Sequence, residues 1–229
     1  MTVRLHAVRF DANDPTRLAE FWAGVLRREI AEDGITLLPG TATDLAIRFD
    51  RTATAKTGLG RAHLDLTSGS AANQNEIVQR ALDLGGRHLD ISQTPDDQHV
   101  VLADPEGNEF CVIEPGNKFL AGCGAVGAFN WDGSQQVGYF WSRALHWPLV
   151  WDQDEQTAIQ SPEGGMKIAW GGPPVRPAST NDRLHMELEA DTGAEVDRLI
   201  TLGATRVGHE DAEAVLADPD GNQFRLRRR

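Results

Sequence analysis

The sequence lacks the features that mark secreted, membrane-spanning or disulfide-stabilised proteins. It has only two cysteines, Cys111 and Cys123, which are too few for a disulfide framework and lack the spacing of a metal-binding pair. No apolar run approaches the ~20 residues that a membrane span needs, and the first residues contain no secretory signal core. These absences predict a cytoplasmic protein with no membrane partner.

Basic residues are also scarce. The 22 Lys and Arg residues face 34 Asp and Glu residues, which gives a net charge of −12. Binding to a phosphate backbone needs a basic face, so the balance predicts no nucleic-acid partner and suits a neutral or cationic small molecule better. One basic cluster ends the chain, and we interpret it as a solvated terminal strand with alternate arginines on one face: Arg225, Arg227, Arg228 and Arg229.

The most prominent feature of the sequence is an internal repeat. The segment VLADPEGNEF at 101–110 recurs as VLADPDGNQF at 215–224, with eight of ten positions identical. Two more pairs follow the same order, RAHLDL at 61–66 with RLHMEL at 183–188, and ALDLGGR at 81–87 with LITLGATR at 199–206. A helical stripe also recurs, with Leu18, Phe21, Trp22, Val25 and Leu26 matched by Val137, Phe140, Trp141, Ala144 and Leu145. The order and spacing predict two copies of one unit.

Each copy reads as an alternation of strands and helices. In the first copy, Asp14 and Pro15 are typical of a helix start, and the apolar stripe that follows has helical spacing. Asp-Pro-Glu-Gly-Asn predicts a tight turn between the last two strands. The pattern predicts an α+β protein in which each copy holds two βαβββ modules. The linker near 115–124 places the domains at 1–116 and 124–229, and the segments 51–60 and 171–182 connect the modules within each copy.

Three of these segments resemble the vicinal oxygen chelate superfamily of glyoxalases, bleomycin-resistance proteins and dioxygenases. They are the helix start DPTRLAEFW, the strand HLDL and the hairpin VLADPEGNEF. The resemblance implies that each pair of modules forms an incompletely closed, eight-stranded, barrel-like sheet. It also implies that the four modules pack as an internal pseudo-dimer with two cavities, so the chain is expected as a monomer or a homodimer.

The resemblance also implies where a metal would be held. In metal-using relatives, one ligand comes from a first-module strand, and a His and a Glu come from a second module. The first-strand position falls at Ala7 and Val126, and the histidine is present as His63 and His185. The glutamate position holds Cys111 and Arg225, and the cationic Arg225 repels a metal. His63 and Cys111 supply two donors that suit zinc, with a third still needed. The sequence therefore predicts no complete catalytic metal site, with a divalent metal at His63 and Cys111 as the alternative.

Period-2 alternation places each strand histidine on the same face as an acidic residue, His63 with Asp65 and His185 with Glu187. Each pair is suited to binding a ligand, to acting as a general base, or to a structural hydrogen bond inside the sheet. Trp22 and Trp141 belong to the helical stripes and are predicted in the core. Two further tryptophans are candidates for an aromatic ligand wall or for core packing: Trp131 and Trp170.

Common catalytic signatures are missing from the chain, including the nucleophile elbow, the Walker loop, the dinucleotide fingerprint and the zinc-protease helix. The leading hypothesis is a small-molecule-binding protein without a catalytic metal. Its predicted ligand-binding residues are His63, Asp65, Cys111, Trp131, Trp170, His185, Glu187 and Arg225. The alternatives are a metal-dependent lyase, isomerase or dioxygenase, a metal-free enzyme with a histidine base, and a structural or partner-binding module.

Overall fold

The computed structural model describes residues 3–91, 93–94, 97–177, 182–210 and 213–229. Within them the four modules follow one another along the chain. Module 1 comprises β1 (Val3–Ala12), α1 (Pro15–Leu26), β2 (Thr36–Leu37) and β3 (Ala46–Arg51). Module 2 comprises β4 (Ala62–Leu66), α2 (Ala71–Asp83), β5 (Arg87–His88), β6 (Val100–Ala103) and β7 (Glu109–Val112).

The second half repeats this order. Module 3 comprises β8 (Val126–Trp131), α3 (Gln135–Leu145), β9 (Leu149–Gln153), β10 (Gln156–Gln160) and β11 (Lys167–Trp170). Module 4 comprises β12 (Leu184–Ala190), α4 (Ala194–Leu202), β13 (Thr205–Glu210), β14 (Glu213–Ala217) and β15 (Gln223–Arg228). None of the helices in the described part of the chain is long and apolar enough to cross a membrane.

The strands form two mixed sheets, and neither closes into a barrel, which confirms the predicted α+β class. The His63 sheet has the order β5-β6-β7-β4-β8-β11-β10-β9, and the His185 sheet has the order β13-β14-β15-β12-β1-β3-β2. Among the described residues the His185 sheet has seven strands rather than eight, because module 1 replaces one strand with an isolated bridge between Ile30 and Leu37.

Each sheet combines one module from each half of the sequence. In the His63 sheet, β4 runs antiparallel to β8, and His63 lies opposite Asn130. In the His185 sheet, β1 runs antiparallel to β12, and Arg9 lies opposite His185. The strand beside His63 therefore comes from module 3, and Ala7 instead pairs with Glu187 in the other sheet. The domain boundaries 1–116 and 124–229 stay a prediction, since both sheets take strands from both ranges.

The repeated hairpin is tied to a helix within each half. Trp22 of α1 donates its indole N–H to the Oδ2 of Asp104 at 3.2 Å, and Trp141 of α3 donates to the Oδ2 of Asp218 at 3.0 Å. All four side chains are almost fully buried, which confirms Trp22 and Trp141 as core residues. Burial raises the pKa of Asp104 to about 6 despite hydrogen bonds from Asn108 and Trp22.

The acidic residue that follows proline in the same hairpin holds the start of the helix. Glu106 accepts hydrogen bonds from the backbone N–H groups of Asn13 and Asp14 at 2.8 and 2.7 Å. Asp220 does the same for Ser134 at 2.5 Å. These contacts satisfy donors that a helix start leaves without partners. These contacts explain why the hairpin sequence is nearly the same in the two copies. In each copy, the hairpin residues hold the hairpin to the helix of the preceding module.

Candidate functional site

The first candidate site lies on the face of the His63 sheet that points away from the helices. His63 and Asp65 extend from β4, and Cys111 lies opposite Asp65 on β7. One ligand atom from each of the three lies within 4.8 Å of the others. The His63 Nε2 is 3.4 Å from the Asp65 Oδ1, and Asn130 donates to the Asp65 Oδ2 at 2.5 Å. Asp65, the predicted partner of His63, therefore lies where a third donor would be needed.

These contacts set the protonation of the cluster. Burial disfavours a charged imidazole, but hydrogen bonds to Asp65 and Cys111 outweigh it and raise the pKa of His63 to about 10. Burial also raises the pKa of the Cys111 thiol. Zinc binds imidazole, carboxylate and thiolate, so the donor set fits this metal. A bound metal would take the place of the protons that His63 and Cys111 carry.

The segment after β7 covers the rest of this face. Leu120 is buried in a small apolar cluster with Cys111 and Ala128, and Phe119 packs against the same cluster. The Lys167 ammonium donates to the backbone carbonyl of Phe119 and lies 4.7 Å from the centre of its ring. The side chain of His63 remains 38% exposed. Solvent therefore reaches the three donors from the His63 side, while the linker closes the neighbouring surface.

The corresponding face of the His185 sheet carries charge instead. Arg9 contacts three carboxylates, with its Nε 2.5 Å from Asp50 and its Nη1 3.1 Å from Glu213 and 3.8 Å from Glu187. Glu189 is bound by Arg227 at 2.6 Å and by Arg229 at 3.2 Å, and Arg4 also donates to it. Arg229 is 46% exposed, in line with the predicted solvated strand, and Arg227 is 29% exposed, but both also form these ion pairs.

A cavity of about 240 Å³ opens beside this network. His185 and Arg225 line it from β12 and β15, Asp11 from β1 and Trp131 from the end of β8. Asp182, Asn222 and Gln223 add further polar groups to the lining. The cavity thus draws on both sheets. Three residues predicted from the sequence meet here: Trp131, His185 and Arg225.

His185 is oriented by two contacts inside the cavity. Its Nε2 is 3.2 Å from the Oδ2 of Asp11, and its Nδ1 is 3.3 Å from the carbonyl oxygen of Gln223. Burial raises the pKa of Asp11, but the hydrogen bond and charge of His185 outweigh this and lower it overall. The carboxylate that contacts His185 is therefore Asp11 and not Glu187. Sequence alternation within one strand missed Asp11 because it lies on a neighbouring strand from the other end of the chain.

Two other predicted ligand-binding residues, Glu187 and Trp170, do not line this cavity. Glu187 is almost fully buried and sits 3.3 Å from Arg227, and burial raises the pKa of its carboxyl group. Trp170 is buried on the helix-covered side, where a Cβ on Gly133 would lie 2.5 Å from its ring. Trp170 lies opposite Trp131 on the paired strand β11, and both belong to the buried core, but Trp170 does not line the cavity. The structure divides the eight predicted residues between two sheets.

Known proteins of similar sequence or structure identify the family of this chain. The glyoxalase-like domain family matches the chain twice, over residues 7–113 and 128–227. No curated protein is significantly similar in sequence. Among solved structures, glyoxalase I from Zea mays has a TM-score of 0.69 at 14% identity, with 98% of this chain and 92% of that chain covered. A putative dioxygenase from Bacillus subtilis has a TM-score of 0.62 at 15% identity, with 99% and 85% covered. At these identities the structural likeness concerns the fold. The chain belongs to the glyoxalase-like domain family and contains its domain twice.

Proposed function

We propose that the chain binds a compact polar organic molecule in the cavity beside His185. The convergence of Asp11, Trp131, His185 and Arg225 on one cavity carries this proposal. Its volume of about 240 Å³ lies just below the range of roughly 300–1,000 Å³ that is usual for drug-sized ligands, so a small molecule fits.

The lining also selects the charge of the ligand. The lining carries groups of both charge signs: Asp11 and Asp182 supply carboxylates, Arg225 supplies a guanidinium, and His185 lies 3.2 Å from the Asp11 carboxylate. A zwitterion matches groups of both signs better than an anion does. The Trp131 ring adds an aromatic surface that favours a cationic group. A small amine or an amino-acid-like zwitterion is therefore the ligand class that we propose.

A panel of amino acids, betaines and small amines tests this proposal by isothermal titration calorimetry and tryptophan fluorescence. We expect at least one saturable ligand, weakened roughly tenfold or more by His185→Gln. The matched control is His63→Gln, which changes the equivalent histidine of the other sheet and should leave affinity unchanged. The proposal fails if no compound binds, or if the two variants weaken binding equally.

A second candidate function rests on the first site. The fold family implies a metal, and the imidazole, carboxylate and thiol of His63, Asp65 and Cys111 lie close enough to share one. A zinc ion held there would supply Lewis-acid chemistry for a lyase or isomerase reaction. His63 would face the solvent side of the site, and Asn130 would orient Asp65 through its hydrogen bond.

Metal analysis of the protein purified without added metal tests the second candidate. We expect about one zinc per chain, lost in Cys111→Ser and retained in His185→Gln. Titration with cobalt(II) gives an independent readout, because a cobalt–thiolate bond produces charge-transfer absorption that depends on Cys111. Protein that neither contains nor binds zinc or cobalt would rule out this function while leaving the His185 cavity proposal intact.

A further inference from the structure

We propose that a separate cavity, where modules 1 and 3 meet, is a second binding site for a flat aromatic molecule that is neutral or cationic. The cavity has a volume of about 800 Å³, within the usual range of sites for organic molecules. Its walls come from residues 4–6 and 36–46 of module 1, residues 161–166 of module 3 and the end of α3. It shares none of its lining residues with the cavity beside His185.

Apolar side chains form one part of the walls of this junction cavity. Leu38, Leu45 and Met166 line it together with Leu145 and Trp147. Leu38 is 41% exposed. Trp147 packs partly against the core and leaves the rest of its ring for the cavity. An aromatic ligand would cover these side chains and stack against the indole.

Hydrogen bonds fix the backbone on both sides of the cavity. On one side, Arg28 donates to the carbonyl oxygens of Leu38 at 2.7 Å and Leu45 at 2.6 Å. On the other side, Ser142 donates its hydroxyl to the carbonyl oxygen of Trp147 at 2.7 Å, and the Trp147 N–H donates back to Ser142 at 3.1 Å. The walls are therefore preorganised, which lowers the ordering cost of binding.

A comparison of the two modules shows why Trp147 is available. Arg28 and Trp147 each follow a left-handed residue that ends a helix, Arg27 with φ of 54° and His146 with φ of 57°. In module 1 the side chain at this position is used to hold the loop over residues 37–45. In module 3 the same position holds an indole that lines the cavity instead.

The charges around the cavity disfavour an anion. Asp44 and the exposed Glu163 contribute two carboxylates to its lining. Arg4 is the lining guanidinium, and Glu189 already accepts a hydrogen bond from its Nε at 2.9 Å. Burial, followed by the charge of Arg227, lowers the pKa of His6, which keeps this ring neutral. A neutral or cationic ring system is therefore favoured over an aromatic acid.

Two fluorescent probes test the proposal on the full chain. Berberine is a flat aromatic cation, and anilinonaphthalene sulfonate is an aromatic anion of similar size. We expect saturable berberine binding that is roughly tenfold or more tighter than binding of the anion. Trp147→Ala should weaken berberine binding by about tenfold. Trp151→Ala is the matched control, because Trp151 is exposed on β9 and does not line the cavity.

A second variant keeps the test valid if Trp147→Ala unfolds the protein. Glu163→Lys reverses one exposed rim charge and should weaken berberine binding while strengthening binding of the anion. His185→Gln should change neither, which separates this site from the cavity of the proposed function. The proposal is overturned if berberine does not bind saturably, or if its affinity is the same in Glu163→Lys and the unaltered chain.

Discussion

The two sheets present equivalent open faces that share a strand histidine and an acidic residue but have diverged around them. Where the His185 sheet has Arg9, Arg225 and Arg227, the His63 sheet has Ala128, Cys111 and Ile113 at the equivalent repeat positions. One face is filled by its own ion pairs, and the other is apolar beside Cys111 and is covered there by the linker. The helix-covered sides, in contrast, keep the same Trp–Asp hydrogen bond in both halves. The helix-covered side of the repeat has thus kept its contacts, while the residues on the open side differ between the two sheets.

The largest effect that this comparison predicts is at Arg9. Arg9→Ala leaves Asp50, Glu187 and Glu213 without their shared cation in a mostly buried environment. Removing one partner from a buried ion pair costs about 3–5 kcal/mol, and we expect a loss of this size in the free energy of unfolding. Urea unfolding measures it. Arg4→Ala, which removes a 55% exposed arginine, serves as the control and should cost less than about 1 kcal/mol. A small effect of Arg9→Ala would mean that the face is solvated.

The linker cover of the His63 sheet gives the next largest effect. Leu120→Ala removes buried methyl groups that pack on Cys111 and Ala128. The loss should be about 2–3 kcal/mol, at the lower end for leucine truncation because the linker is able to relax. Reaction of Cys111 with a thiol reagent should also become faster in this variant. Unchanged stability and reactivity would show that the linker does not seal this face in solution.

The sequence predicted most of the fold because its signals are local. Helix stripes, the repeated hairpin and the strand histidines each depend on spacing within a few residues, and the structure confirms the α+β class. Which modules share a sheet depends instead on contacts between segments more than one hundred residues apart. Nothing in the local pattern distinguishes β4 beside β1 from β4 beside β8.

The site was harder to predict for the same reason. The pairing of His63 with Asp65 follows from one strand and appears in the structure at 3.4 Å. The partner of His185 comes from β1, near the other end of the chain, so alternation pointed to Glu187 and missed Asp11. Trp131 and Trp170 look alike in sequence and both pack in the core, and only the packing of both sheets brings Trp131 to the edge of the cavity as well.

The shared Trp–Asp contact predicts an effect that should be equal in the two halves. Trp22→Phe removes the indole donor from buried Asp104, and Trp141→Phe does so for buried Asp218. Each carboxylate keeps its bonds from the hairpin asparagine, so we expect each variant to lose about 1–2 kcal/mol of unfolding free energy. Urea unfolding of both variants measures this. A clear difference between them would mean that the packed sides have diverged as well.

A further effect concerns acid stability and separates the two open faces. Burial raises the pKa of Glu189, but hydrogen bonds from Arg4 and Arg227 outweigh it and lower the pKa from 4.5 to about 2. Because the folded-state pKa is depressed, this carboxylate contributes its full stability above pH 4.5, and the contribution is lost as the pH falls toward about 2.

Glu189→Gln should therefore flatten the dependence of unfolding free energy on pH between about 4.5 and about 2. Thr67 occupies the equivalent position in the His63 sheet, and its hydroxyl donates to the carbonyl oxygen of Gly124 at 2.8 Å. Thr67→Val removes that bond without removing a titratable group, so it should lower stability by the same amount at every pH. Urea unfolding across this range compares the two variants. Parallel curves for Glu189→Gln and the unaltered chain would show that the arginines around Glu189 remain solvated, and the contrast between the two faces would then rest on Arg9 alone.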